Sequence, residues 1–170
     1  MAGAVGAVWG LAGVYLLLGS AIYRLSPLAI EGFSCHFSWY HWITLVFVVL
    51  FMAYSEGYRA FQKGFSPRVA ARARYLRDHP RFLHVLSAPF FCMGYFHAPR
   101  RRRITSISVT VGIVILVLLV RLLQQPWRGI IDLGVVVGLA WGLISLLVFS
   151  VLAFTSKVFP YSPEVPELNE

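Results

Sequence analysis

Four long runs of apolar residues dominate the pattern along the chain, and more polar stretches of unequal length separate them. They cover residues 5–23, 40–56, 104–123 and 133–155. An α-helix needs about 20 mostly apolar residues to cross a bilayer, and each run is near that length. The pattern therefore predicts an all-α integral membrane protein, with one membrane domain over residues 1–170 and four transmembrane helices.

A fifth apolar stretch, residues 82–96, lies between predicted helices two and three and is shorter than the others. As a helix it would span only about 22 Å, against roughly 30 Å for the hydrocarbon core. Pro89 interrupts it. If it crossed, Arg100–Arg103 would lie opposite the other basic residues, against the positive-inside rule. We therefore predict an interfacial or re-entrant segment, which is also a candidate site because non-helical backbone at membrane depth needs protein or water around it.

The stretch at residues 57–103 carries most of the basic residues and is predicted to be a cytoplasmic insertion. Ser66 and Pro67 are typical of a helix start, and residues 68–78 predict an amphipathic helix on the membrane surface. Two interpretations stay open: the cations bind anionic lipid headgroups or a partner, or they form a solvated face that only fixes topology. The candidate residues are Arg59, Lys63, Arg68, Arg72, Arg74, Arg77, Arg100, Arg101, Arg102 and Arg103.

Small residues recur every four positions in the first and last predicted helices. The first helix has Gly6 and Gly10, and the last has Gly134, Gly138 and Gly142. This spacing lets another helix approach closely, either within the chain or at an interface between copies. Because helices one and four run antiparallel in the predicted topology, we expect them to meet.

Composition and charge narrow the class of protein. The chain is 58% hydrophobic and 13% charged, which excludes an ordinary soluble domain. Its formal net charge of +8 favours anionic lipids as partners, and no nucleic acid is expected. Cys35 and Cys92 fall on opposite sides of the predicted membrane, so neither a disulfide between them nor a metal site is predicted.

Two isolated acids have predicted partners. Glu56 precedes Arg59 by three residues, which allows a local ion pair. Asp132 would pair with Arg128 or Arg121, because an acid near lipid needs a partner.

No catalytic motif is present: the chain has no P-loop, dinucleotide fingerprint, HExxH or GxSxG sequence. The sequence therefore favours no enzymatic activity. The remaining candidates are His41, His84 and His97, with Cys92 and Met93 close to the last two. Haem or a pigment could use such ligands, but the spacing matches no binding motif and no cofactor is predicted.

These features favour a small multi-pass protein of the inner (plasma) membrane with both termini in the cytoplasm. We expect a structural or assembly subunit that docks on other membrane subunits, or on a second copy, through its glycine faces and basic residues. The first alternative is an anionic-lipid-binding membrane enzyme or transport factor. The second is a haem- or pigment-binding electron-transfer component. The acidic, Pro-rich tail at 160–170 would either lie against the arginines or be disordered.

Overall fold

A computed structural model describes residues 2–80, 82–156 and 158–165. These residues form helices joined by short connections and contain no strand. Four of the helices are long and apolar enough to cross a membrane, which confirms that part of the predicted fold class. The helices, in chain order, are α1 (Ala2–Gly32), α2 (Trp39–Asp78), α3 (Phe82–Leu86), α4 (Ala88–Met93), α5 (Arg100–Arg121) and α6 (Trp127–Thr155).

Helix α1 continues beyond the predicted end of the first span, through Pro27, to Gly32. Pro27 lacks the N–H that would bond to Tyr23 O, so the helix beyond it depends on tertiary contacts. Here the last turns pack on the start of α6, and the Gln125 side-chain amide donates to Leu28 O at 3.2 Å. Packing therefore outweighs the local helix-breaking signal.

Helices α1 and α6 pack against each other in antiparallel orientation, as the sequence predicted. Gly32 contacts Gly129 near one end, and the Tyr15 hydroxyl lies 3.4 Å from Ser150 Oγ towards the other. The two small-residue stripes, however, do not meet each other. Gly6 and the adjacent Gly10 lie against α2, α3 and α4, whereas the stripe of α6 lies against α2.

Helix α2 is one continuous element, and its middle section, Ala53–Phe65, is π-helical. The predicted helix start at Ser66 is wrong, because this residue has helical dihedral angles (φ −59°, ψ −47°) and its N–H bonds to Phe61 O. The N–H that Pro67 lacks falls at the junction between the π-helical and α-helical sections. The missing donor removes one backbone hydrogen bond at this junction, and α2 continues beyond it.

The section Ser66–Asp78 is not a helix on the surface, contrary to the predicted amphipathic surface helix. Its small and apolar residues are buried against α1, α4 and α6. Three alanines in its sequence let neighbouring backbones approach closely, and Ser66 Oγ bonds to Ser145 Oγ of α6 at 2.6 Å. Arginines usually indicate a solvent-exposed face, but Arg72 and Arg74 donate hydrogen bonds to backbone carbonyls within the fold.

Residues 82–96 form a compact hairpin of α3, α4 and a turn. Gly94 ends α4 with a left-handed conformation (φ +85°), which glycine adopts readily. The rings of His84 and His97 lie 4.5 Å apart, so the two ends of the hairpin meet. The hairpin packs along the first half of α1 and does not extend along the whole bundle.

The two ends of the bundle differ in their residues. The basic end holds Gly3, Arg77 and Ser156, where α1 begins and α2 and α6 end. The aromatic end holds His41 and Trp127, whose ring centroids are 4.8 Å apart.

Helix α5 stands apart from the other long helices, and most of its side chains are exposed. Ser106 Oγ donates to Met93 O at 3.2 Å, and the hydroxyls of Tyr95 and Thr110 share a hydrogen bond. Towards its other end, Val120 is buried. Between these attachments α5 is separated from the bundle, and the separation encloses the candidate site.

Candidate functional site

A cavity of about 670 Å³ lies between α5 and the three other long helices. Ligand sites in proteins commonly measure about 300–1,000 Å³. Most of its walls are aliphatic or aromatic, and polar groups are confined to a few positions. The apolar lining includes Leu17, Leu18, Leu25 and Leu28 of α1, Phe61 and Phe65 of α2, Val109, Ile113, Leu116 and Val117 of α5, and Val135 and Leu139 of α6.

At the basic end the cavity is lined by Arg68, Arg72, Arg102 and Glu164. Arg102 binds Glu164 with two hydrogen bonds, Nε to Oε2 at 2.5 Å and Nη2 to Oε1 at 2.7 Å. This paired geometry is the strong form of an arginine–carboxylate contact. The hydrogen bonds from Arg102 hold the pKa of the Glu164 carboxyl below its ordinary value.

Arg72 serves the fold and leaves little for a ligand. It is only 2% exposed, and all its hydrogen bonds go to backbone carbonyls of the hairpin and the tail. The acceptors are Phe91 O, Phe96 O, His97 O, Pro163 O and Glu164 O, at 2.7 to 3.1 Å. A planar guanidinium suits this role because its donors fan out in fixed directions.

Arg68 differs from Arg72 although both line the same end of the cavity. Its guanidinium forms no hydrogen bond or ion pair with any residue in the described part of the chain. Its Nη2 passes close to Gly64, one helical turn away, where a methyl group would lie 3.3 Å from it. Arg68 therefore lines the cavity without a hydrogen-bond partner among the described residues, although its charge acts on the nearby Glu164 carboxylate.

The other predicted cations do not form one continuous surface with Arg68. Arg74 donates to Ala153 O and Ser156 O, Arg77 pairs with Asp78 at 2.8 Å, and Lys63 lies 4.6 Å from the Tyr58 ring centroid. Arg59 lines the cavity, whereas exposed Arg100, Arg101 and Arg103 lie outside its lining. Only part of the predicted basic set therefore faces the candidate site.

Two acids also face the cavity, further from the basic end. Asp132 is 4% exposed and lies 3.6 Å from Arg128 Nε, so the predicted pairing with Arg128 is confirmed. Glu56 does not form the predicted ion pair with Arg59. Its Oε2 is buried and finds no hydrogen-bond partner among the described residues. The π-helical section turns Glu56 towards Gly138 of α6, where a methyl group would lie 2.8 Å from Oε2.

The histidines fall in two separate places. His84 and His97 stand ring edge to ring face in the hairpin, which leaves no space for a flat macrocycle between them. His41 lies at the aromatic end, and its Nδ1 accepts a hydrogen bond from Ser38 N–H at 3.0 Å. No group of three or more His, Cys, Asp or Glu side chains suited to a metal occurs among the described residues. Burial raises the pKa of the Cys92 thiol to about 12.

Sequence reasoning missed the role of Glu164, the distinction between Arg68 and Arg72, and the cavity itself. The tail was predicted either to contact the arginines or to be disordered, and Glu164 does contact them. Glu167 and Glu170 lie outside the described residues. The sequence shows Glu164 only as a negative charge in a basic chain, and that charge alone does not indicate which arginine it contacts.

No protein family matches the chain, and no curated protein and no solved structure matches it either. The geometry of the cavity is therefore the basis of the proposed function.

Proposed function

We propose that this is a multi-pass membrane protein that binds an anionic amphiphile in the cavity beside α5. The ligand would have a hydrocarbon chain and a phosphate or carboxylate head group. The observation that carries the proposal is the distribution of polarity: the cavity has apolar walls along its length and, at one end, Arg102 beside Arg68, which forms no ion pair with a described residue. A guanidinium suits such a head group because its donors match two oxygens at once.

The proposed orientation follows the positive-inside rule, with the basic end in the cytoplasm of a cell whose plasma (inner) membrane holds the protein. Both chain termini would then be cytoplasmic. The hairpin of α3 and α4 would be a re-entrant segment that enters from the cytoplasmic side. Its packing on α1 supplies the protein cover that irregular backbone needs at membrane depth.

This function is preferred to that of an assembly subunit because of where the glycines lie. Docking on another subunit was expected to use the glycine faces. A methyl group on Gly10 would lie 2.7 Å from Cys92 Sγ, and one on Gly142 would lie 2.6 Å from Phe61 Cγ. These faces are covered within the chain. The contact between His84 and His97 likewise removes the main support for an electron-transfer component.

The test is photo-crosslinking in nanodiscs with a phosphatidic acid that carries a diazirine on its acyl chain. Phosphatidylcholine with the same chain is the control probe. We expect stronger labelling by phosphatidic acid, with adducts at cavity residues such as Leu17 and Val109. Arg68→Gln should reduce this preference roughly tenfold, since one charge-assisted contact contributes about 1.5 kcal/mol.

Arg101→Gln is the matched control variant, because it removes the same charge at the basic end from an exposed residue outside the cavity lining. It should label as the unmodified protein does. Equal labelling by the two probes, or equal effects of the two variants, would contradict the proposed function.

A further inference from the structure

The carboxylate of Glu164 occupies the place where the proposed ligand's head group would bind. It lines the cavity together with Arg68, Arg72 and Arg102. Both of its oxygens are held by the Arg102 guanidinium, at 2.5 and 2.7 Å. A carboxylate or phosphate of a ligand would make the same two-oxygen contact. Two anions would repel each other there, so Glu164 and a ligand compete for Arg102.

The backbone around Glu164 shows that this placement is imposed by tertiary contacts. Glu164 has a positive φ of +48°, which is uncommon for a residue other than glycine. Arg72 fixes the segment by donating to Pro163 O at 2.9 Å and Glu164 O at 3.1 Å. The Glu164 N–H also bonds to Ser162 Oγ at 3.2 Å. Local strain held in this way is typical of functional and switching segments.

The segment at 158–165 is held by side-chain contacts, among them Tyr161 on the Phe149 ring and Val165 against the core. Residues 158–165 follow the end of α6 and contain no regular secondary structure in the described part of the chain. The Glu164 and Arg102 side chains are 34% and 27% exposed. The pair is partly solvated, and a ligand head group would make the same two-oxygen contact with Arg102, so a ligand that also gains hydrophobic contacts in the cavity can displace the carboxylate.

We propose that Glu164 is an intrachain substitute for the ligand's head group, and that the segment at 158–165 moves aside when an anionic amphiphile binds Arg102 and Arg68. This inference rests on the proposed function, because it assumes that such an amphiphile is the ligand. Beyond the proposed function, it states that the phosphate or carboxylate of the ligand binds the Arg102 guanidinium. It also states that Glu164 of the same chain competes for that guanidinium.

The experiment measures binding of the diazirine-free phosphatidic acid to the full-length protein in mixed micelles. Glu164→Gln keeps the shape of the side chain but removes the competing charge. We expect it to lower the Kd roughly fivefold, the effect of losing one partly exposed ion pair. Asp78→Asn is the matched control: it also removes one carboxylate at the basic end, but that carboxylate pairs with Arg77 outside the cavity lining. Its Kd should equal that of the unmodified protein.

Hydrogen exchange provides a second readout that is independent of affinity. Saturating phosphatidic acid should accelerate amide exchange at Glu164 of the unmodified protein, because displacement releases the conformation in which its N–H bonds to Ser162 Oγ. An unchanged Kd for Glu164→Gln, or unchanged exchange at saturation, would overturn the inference. If binding still prefers phosphatidic acid and still depends on Arg68, the proposed function survives that result. Loss of both the preference and the Arg68 dependence would instead refute the proposed function.

Discussion

At the scale of single residues, Gly32 and Gly129 form a close crossing of α1 and α6 in which backbone meets backbone. A methyl group on Gly129 would lie 2.7 Å from the Gly32 Cα. Gln125 contacts the same crossing: its Oε1 accepts a hydrogen bond from the Gly129 N–H at 2.9 Å. Backbone atoms have no rotamer through which they can move away. The helices must therefore separate if either glycine gains a side chain.

We predict that Gly129→Ala destabilises the protein by about 2 kcal/mol, as overpacking in a close-packed contact does. Gly112→Ala is the matched control, because Gly112 also lies inside a helix but has no atom within 4 Å of the added methyl group. That change should be neutral or stabilise the protein by up to about 1 kcal/mol through helix propensity. Unfolding midpoints in a denaturing detergent measure both, and equal midpoints would show that the crossing does not constrain the fold.

At the scale of elements, Arg72 joins α2, the hairpin of α3 and α4, and the tail. The carbonyls that it binds belong to the last turn of α4, to the residues after Gly94 and to residues 163–164. Its guanidinium carbon also lies 5.0 Å from the centroid of the Phe91 ring. Arg72 therefore fixes the hairpin and the tail relative to α2.

Arg72→Lys should destabilise this junction although the charge is kept. An ammonium has three donors and no planar fork, so several carbonyls would lose their partner. We expect a loss of about 2–3 kcal/mol in stability and faster amide exchange in residues 88–97 and 158–165. Arg101→Lys, at an exposed position, should change stability by less than about 0.5 kcal/mol. Protection factors unchanged in Arg72→Lys would contradict this role.

The four long helices could be predicted because length and apolarity are local properties, and the chain carries both without ambiguity. The continuity of α2 could not. Gly64, Ser66 and Pro67 favour a break locally, and only packing on α1 and α6 keeps the helix intact. The arginines were assigned to a surface for a related reason: the sequence shows donors but not the carbonyls that will accept from them.

The cavity is a property of several helices together, so no stretch of sequence specifies it. Arg68 and Arg72 have the same residue type and lie one turn apart, yet only one is saturated by the fold. What separates them is the position of the hairpin and the tail, which are distant in sequence. Glu56 was predicted to face Arg59 across a helical turn, but the π-helical section changes that register.

At the scale of the whole molecule, the described residues place the start of α1, the end of α6 and the hairpin of α3 and α4 towards one end of the bundle. The connection between α1 and α2 lies at the other end and holds Cys35, which is partly exposed. Cys92 is buried beside α1, and its pKa of about 12 keeps it a thiol at neutral pH. The chain thus carries one accessible thiol at the aromatic end and one unreactive thiol in the hairpin.

In the proposed orientation, a membrane-impermeant maleimide applied to intact cells should modify the unaltered protein once, at Cys35. Opening the membrane without denaturation should add no second site, whereas denaturation should expose Cys92. In a Cys35→Ser background, Ala98→Cys should react only after the cytoplasmic face becomes accessible, because residue 98 follows the hairpin at the basic end. If residues 82–96 crossed the membrane instead, Ala98→Cys would react on intact cells. That result would refute the re-entrant hairpin and place Arg100–Arg103 outside the cell, away from Arg68.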